Sequence, residues 1–126
     1  MDEITKEFLA ESHEGLNRLE RDLASLEKDP NELHTLASIF RTIHTIQGNS
    51  GFFGFETLQT VAHAAENLLS KIRDGMLCVT PEITSALRAT GDAMRYLLSR
   101  VEAKNNTGDR EFHDLIARLS ACSLSS

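Results

Sequence analysis

Apolar residues recur at spacings of three and four along almost the whole chain, and this periodicity commits it to helices. Residues 2–28 carry Phe8, Ser12, Leu16, Leu19, Leu23 and Leu26 on one stripe. Asp29-Pro30-Asn31 interrupts it, because proline lacks a backbone donor and restricts the residue before it. A second segment, about 32–48, places Leu33, Leu36, Phe40 and Ile43 on its apolar side and is expected to end in Gly48-Asn49-Ser50-Gly51. A third, about 56–74, presents Leu58, Val61, Ala62, Ala65, Leu68, Leu69 and Ile72, and Gly75 closes it. Thr80-Pro81-Glu82 reads as a helix start: a capping hydroxyl, a first-turn proline and an acid at the positive helix end. The helix it opens carries Ile83, Leu87, Thr90, Met94, Leu97 and Val101 down one side, and Asn105-Asn106-Thr107-Gly108 breaks it. A short last helix, about 109–120, offers Phe112, Leu115, Ile116 and Leu119.

Long amphipathic helices with short connections predict an all-α fold: an antiparallel four-helix bundle with an additional short C-terminal helix packed on one end or side. Residues 1–120 form the domain, and 121–126 read as a flexible tail or the start of a linker. Met76 and Met94 are expected to pack as gap fillers. Of Phe52, Phe53 and Phe55, at least one belongs to the core.

The 126 residues suit one domain with a real core; 40% are hydrophobic and 25% charged, as in ordinary globular proteins. A formal charge of −6, with no lysine or arginine cluster, argues against nucleic-acid binding. The apolar runs are too short to cross a bilayer, and the acidic start with Asp2 and Glu3 is not a secretory signal. Cys78 and Cys122 are too few for a disulfide framework, and free thiols suit a cytoplasmic location. The chain is expected to be monomeric.

Of five histidines, His44 has the most suggestive setting. It sits at the edge of an apolar helical face, with Gln47 and Gly48 one turn on. His63 and Glu66, three apart on the next helix, can approach it if the two helices are antiparallel neighbours. A carboxylate that accepts from one ring nitrogen fixes the tautomer and leaves a lone pair on the other, as a histidine nucleophile requires. Spacing alone also allows a plain surface histidine with an incidental acidic neighbour. Gly48, Gly51 and Gly54 lack the strand-to-helix setting and the Gly-Lys-Ser/Thr ending of a nucleotide phosphate loop. Helix termination is their simpler role; keeping the surface beside His44 low is the more specific one. A metal bundle would recruit His44, His63 and Glu66, but it needs more inward carboxylates and repeated Glu-x-x-His pairs.

The stretch Ile39 to Leu69, IFRTIHTIQGNSGFFGFETLQTVAHAAENLL, closely resembles the N-terminal histidine phosphotransfer (HPt, P1) domain of the chemotaxis histidine kinase CheA family. That family shows a Phe-Arg start, His-Ser/Thr-Ile-Lys-Gly, a small-residue turn, Phe-Gly-Phe, Leu-Gln and a later His-x-x-Glu-Asn-Leu-Leu. The pattern is specific, and helix lengths extend the resemblance over nearly the whole chain. The resemblance implies that His44 receives the ATP γ-phosphoryl group, that Glu66 orients it and that His63 belongs to the same surface network. It implies five helices, four of them in a bundle. Its implied partners are a CheA-like kinase catalytic domain and a response-regulator receiver domain of CheY or CheB type. No cofactor is expected on this domain itself: ATP belongs to the kinase domain, and Mg²⁺ to the kinase and receiver. The parent protein is then expected to be a sensor histidine kinase in two-component signalling, in chemotaxis or motility.

Two departures stand out. The family lysine three residues after the active histidine is Gln47, a possible phosphoryl contact that offers hydrogen bonds without charge. Arg41, three residues before His44, can supply charge from the adjacent turn, and it joins Gly48 and Gly51 as a docking or access position. The family's double glycine is here Gly48-Asn49. The rival expectation is a degenerate module that docks a kinase or response regulator without transferring phosphate.

Overall fold

The computed structural model describes residues 3–102 and 113–124. Five helices follow one another: α1 (Glu3–Lys28), α2 (Leu33–Phe53), α3 (Glu56–Arg73), α4 (Pro81–Glu102) and α5 (His113–Leu124). Among the described residues there is no strand. Helix α1 packs on α2 and α4, and α3 packs on the same two from the other side. Helix α5 lies against α3 and, less extensively, α4. The result is the all-α bundle with a short added helix that the periodicity predicts. No helix among the described residues is long and apolar enough to cross a membrane.

Three stripes read from the sequence are the buried faces. Phe8, Ser12, Leu16, Leu19, Leu23 and Leu26 of α1 are buried, as are all seven apolar residues named for α3. On α4, Ile83, Leu87, Thr90, Met94 and Leu97 are buried, while Val101 is half-buried near the end of the described helix. Gly15, on the same helix, is buried at the contact with α2. A Cβ there would lie 3.3 Å from Thr42 Cγ2, so the missing side chain lets the two helices close up. Thr80 caps α4 as expected, its Oγ1 accepting from Ile83 N at 3.2 Å.

Helix α2 differs from the expectation in two ways. It does not end at Gly48-Asn49-Ser50-Gly51 but continues to Phe53. Ser50 is fully buried with its hydroxyl donating to Ile46 O at 2.5 Å, so tertiary burial carries the helix through a run of poor helix formers. Termination falls to Gly54, whose φ of 75° is left-handed. Its N–H donates to Gly51 O at 3.2 Å and Phe55 N–H donates to Ser50 O at 3.0 Å, the paired bonds of a Schellman cap. The buried face is also rotated from the one expected: Ile39, Thr42, Ile43, Ile46 and Ser50 point inward. Leu36 and Phe40 are half-buried along its flank, and Leu33, in the first turn, is exposed.

Other expectations divide. Met94 is fully buried as a packing residue, but Met76 is exposed in the α3–α4 connection and fills no gap. Phe53 and Phe55 stack on each other at 5.6 Å and contact Phe8 at 5.0 and 5.8 Å, while Phe52 is exposed. Helix α5 runs through Leu124, beyond residue 120, because Cys122 and Ser123 are buried and Lys71 Nζ donates to Ser123 O at 2.6 Å. Its expected start, with Phe112, and the Asn105–Gly108 break lie outside the described residues.

Gly48 lies within α2, is exposed, and has no atom within 4 Å of where a Cβ would sit. Neither packing nor turn geometry requires it, yet a mid-helix glycine costs about 1 kcal/mol relative to alanine. Gly48→Ala is therefore expected to raise unfolding stability by about 1 kcal/mol in urea titrations. The two thiols also differ. Burial pushes the Cys122 thiol up from its ordinary range, with the Glu82 charge adding to the effect, whereas Cys78 is exposed. A thiol reagent added to the native protein at neutral pH is expected to modify Cys78 first and Cys122 only with unfolding, a difference that peptide mapping detects.

Candidate functional site

The two-residue link between α2 and α3, Gly54 and Phe55, turns the chain back on itself and sets the two helices antiparallel along their length. His44, midway along α2, thereby faces Glu66 on α3. The imidazole Nδ1 lies 2.8 Å from Glu66 Oε1. A carboxylate accepts, so Nδ1 carries the proton, and in the neutral ring the lone pair is then on Nε2. The His44 side chain is 59% exposed and that of Glu66 only 17%. The pair therefore leaves most of the imidazole in solvent while the carboxylate sits largely in the helix interface.

Glu66 Oε2 is buried and, among the described residues, has no hydrogen-bond partner. A buried carboxylate oxygen without a donor is costly. The other oxygen of Glu66, Oε1, is the one that meets the His44 ring.

The ring of His44 also has a neighbour on its face. Phe40, four residues earlier on α2, stacks on it with centroids 5.8 Å apart and planes 8° apart. Arg73, the last residue of α3, holds its guanidinium 4.7 Å from the centroid of Phe40.

Of the other positions singled out in the sequence, His63 is exposed on α3, and among the described residues no hydrogen bond joins it to His44 or Glu66. Gln47 is half-buried one turn after His44, and Arg41 is exposed one turn before it. Gly48 and Gly51 are exposed on α2. A Cβ on Gly51 would come within 2.7 Å of Gln59 Nε2, so the amide of Gln59 covers that glycine whereas Gly48 is open. Among the described residues no group of three or more His, Cys, Asp or Glu side chains gathers as metal donors. The Phe40–Arg73 arrangement was not read from the sequence, because an aromatic four residues before a histidine is indistinguishable from a core residue.

The sequence pattern of the Hpt domain family matches residues 3–121. The sensor histidine kinase CheAY of Helicobacter pylori is 33% identical over 125 residues, 96% of this chain and 16% of that protein. Chemotaxis protein CheA of Halobacterium salinarum is 37% identical over 109 residues, 86% of this chain and 16% of that protein. The chain thus spans about a sixth of the length of these curated relatives. Among solved structures, the phosphorylated P1 domain of CheA3 from R. sphaeroides, in complex with CheY6, superimposes with a TM-score of 0.89. That match has 24% identity and covers 98% of this chain and 97% of the other. A pattern match over nearly the whole chain, joined to these relatives and a shared fold, makes the chain a member of the Hpt domain family, homologous to the P1 domain of CheA.

Proposed function

We propose that this domain carries a phosphoryl group on His44, accepting it from ATP bound to a CheA-like kinase catalytic domain and passing it to an aspartate of a response-regulator receiver. The observation that carries the proposal is the His44 Nδ1–Glu66 Oε1 bond of 2.8 Å on a side chain that is itself 59% exposed. In the first step the Nε2 lone pair forms a bond to the γ-phosphorus as its bond to the bridging oxygen breaks and ADP leaves. Nδ1 keeps its proton throughout. The positive charge gained by the ring is offset by Glu66, whose second oxygen is buried and unpartnered. In the second step a receiver carboxylate attacks the phosphorus, and the electron pair of the N–P bond returns to Nε2. In the R. sphaeroides complex the phosphorylated P1 domain is paired with CheY6, and a receiver of CheY or CheB type is the acceptor proposed for this chain. ATP and Mg²⁺ are contributed by the partners. Gln47, without charge, is proposed to contact the phosphoryl group only through its amide, with Arg41 as the nearest helical source of charge. His63 is proposed to join the surface network when a partner docks.

Gly48 fits the same reading, whereas Gly51 is covered by the Gln59 amide. An exposed mid-helix glycine that no packing demands lowers stability, and it leaves the surface one turn beyond His44 free of side chains. We assign it to access by two large partners in turn.

Label from [γ-³²P]ATP, supplied with a CheA-like catalytic domain, is expected on the wild type and absent from His44→Gln, acid-labile and alkali-stable. A folded wild-type domain that takes no label beside a working control would leave only the docking-module reading. Glu66→Gln replaces a charged acceptor by a neutral one. A loss of about 1.5–3 kcal/mol, or roughly ten- to a hundredfold in phosphorylation rate, is expected with unchanged circular dichroism. Gly48→Leu is expected to keep the bundle folded while slowing transfer to a receiver in stopped-flow assays; equal rates would remove the access role.

A further inference from the structure

The imidazole turns only about χ1 and χ2, and its bond from Nδ1 to Glu66, 2.8 Å long, restrains both within the tolerance of one hydrogen bond. The swing that remains carries Nε2, on the far side of the ring, along an arc. With 59% of the side chain exposed, little packing opposes this motion. The neighbour that does oppose it is Phe40, whose ring lies within 8° of parallel at 5.8 Å.

Phe40 is itself only half-buried, packed against the core and with the Arg73 guanidinium 4.7 Å from its ring centroid. Arg73 follows Glu66 by seven residues on α3, which is two helical turns and therefore nearly the same face. Helix α3 thus reaches the histidine twice, in the ring plane through Glu66 and on the ring face through Arg73 and Phe40. Arg73 Nε also lies 3.3 Å from Asp74 Oδ1, a contact between exposed neighbours that accounts for one edge of the guanidinium and not for its placement over the aromatic face.

We infer that Phe40 is a positioning residue for His44, and that Arg73 acts through it by holding the phenyl ring in the stacked orientation. The inference rests on the reading of His44 as phosphoryl acceptor. Glu66 then selects the tautomer and anchors Nδ1, and the Arg73–Phe40 stack narrows the remaining swing of the ring. Together they aim the Nε2 lone pair at a phosphorus delivered by a separate protein. Misaligned near-attack geometry reduces the chemical step more than it reduces binding.

The test compares Phe40→Leu, Arg73→Met and the double variant with wild type, all checked for helicity and thermal unfolding. Leucine keeps apolar bulk on the flank of α2, and methionine covers the phenyl ring without a charge. Two readouts are taken: ¹⁵N and ¹³C relaxation of the His44 ring in the unphosphorylated domain, and kcat and KM for phosphorylation by the catalytic domain. Phe40→Leu is expected to increase His44 ring mobility and to lower kcat about tenfold with KM unchanged. Arg73→Met is expected to lower kcat about two- to fivefold, and to add nothing in the Phe40→Leu background. Unchanged ring relaxation and kcat in Phe40→Leu would overturn the role of Phe40. Fully additive effects would overturn the claim that Arg73 acts through Phe40 and give it a direct contact with phosphate or partner. Absence of label on the wild type would instead strike the acceptor reading, and the ring relaxation would still decide whether Phe40 holds the imidazole.

Discussion

The left-handed turn at Gly54 is the constraint on which the rest of the molecule hangs. It ends α2, returns the chain within two residues and forces α3 to lie antiparallel against it. The paired bonds from Gly54 and Phe55 back to Gly51 and Ser50 satisfy the last carbonyls of α2. With that register set, Ile43 and Ile46 meet the core on one side of α2, and His44 is left at the boundary with solvent, opposite Glu66. A side chain larger than hydrogen at position 54 has to adopt a positive φ, so the geometry of the site is tied to the backbone of a residue that does not touch it.

The electrostatic character of the pair follows from where that boundary falls. Histidine and carboxylate at a fully exposed surface exchange their bond with water, and the same pair fully buried loses its access to partners. Here the acid is largely inside and the base largely outside. The Glu66 carboxylate meets His44 through Oε1, and among the described residues its Oε2 has no hydrogen-bond partner. Links between α1 and α4 show the contrast. Arg95 bonds both Glu20 and Asn17. Arg88 bonds Glu27 and holds that exposed carboxylate below its usual range. These pairs join two helices at the solvated surface of the bundle.

Three of the four bundle helices were legible in the sequence almost residue for residue, because their buried faces obey a simple helical period and carry apolar side chains. Helix α2 was not. Its inward face includes Thr42 and Ser50, which a hydropathy pattern counts as polar, and each satisfies its hydroxyl on the carbonyl four residues back. Its glycines read as punctuation, because local propensity carries no information about a helix held by its neighbours. The site was legible to the extent that it is written in spacing and motif: His44 and Glu66 were paired in advance, and their contact is present. Phe40 and Arg73 were invisible as a unit. They come from different helices, 33 positions apart, and nothing in either local sequence announces a stack.

The locality of the site also bears on how it is built. His44 and Glu66 are separated by 22 residues and joined by one helical hairpin, whereas the α1–α4 contacts that close the bundle join residues such as Asn17 and Arg95, 78 apart. Loop closure favours the shorter separation, and native contacts of low sequence distance form earlier. The hairpin that bears the histidine is thus the part of the chain best placed to organise first as the chain folds, with α1 and α4 completing its support. Lesions in the bundle's closing helices would then weaken the frame of the site more than its internal arrangement.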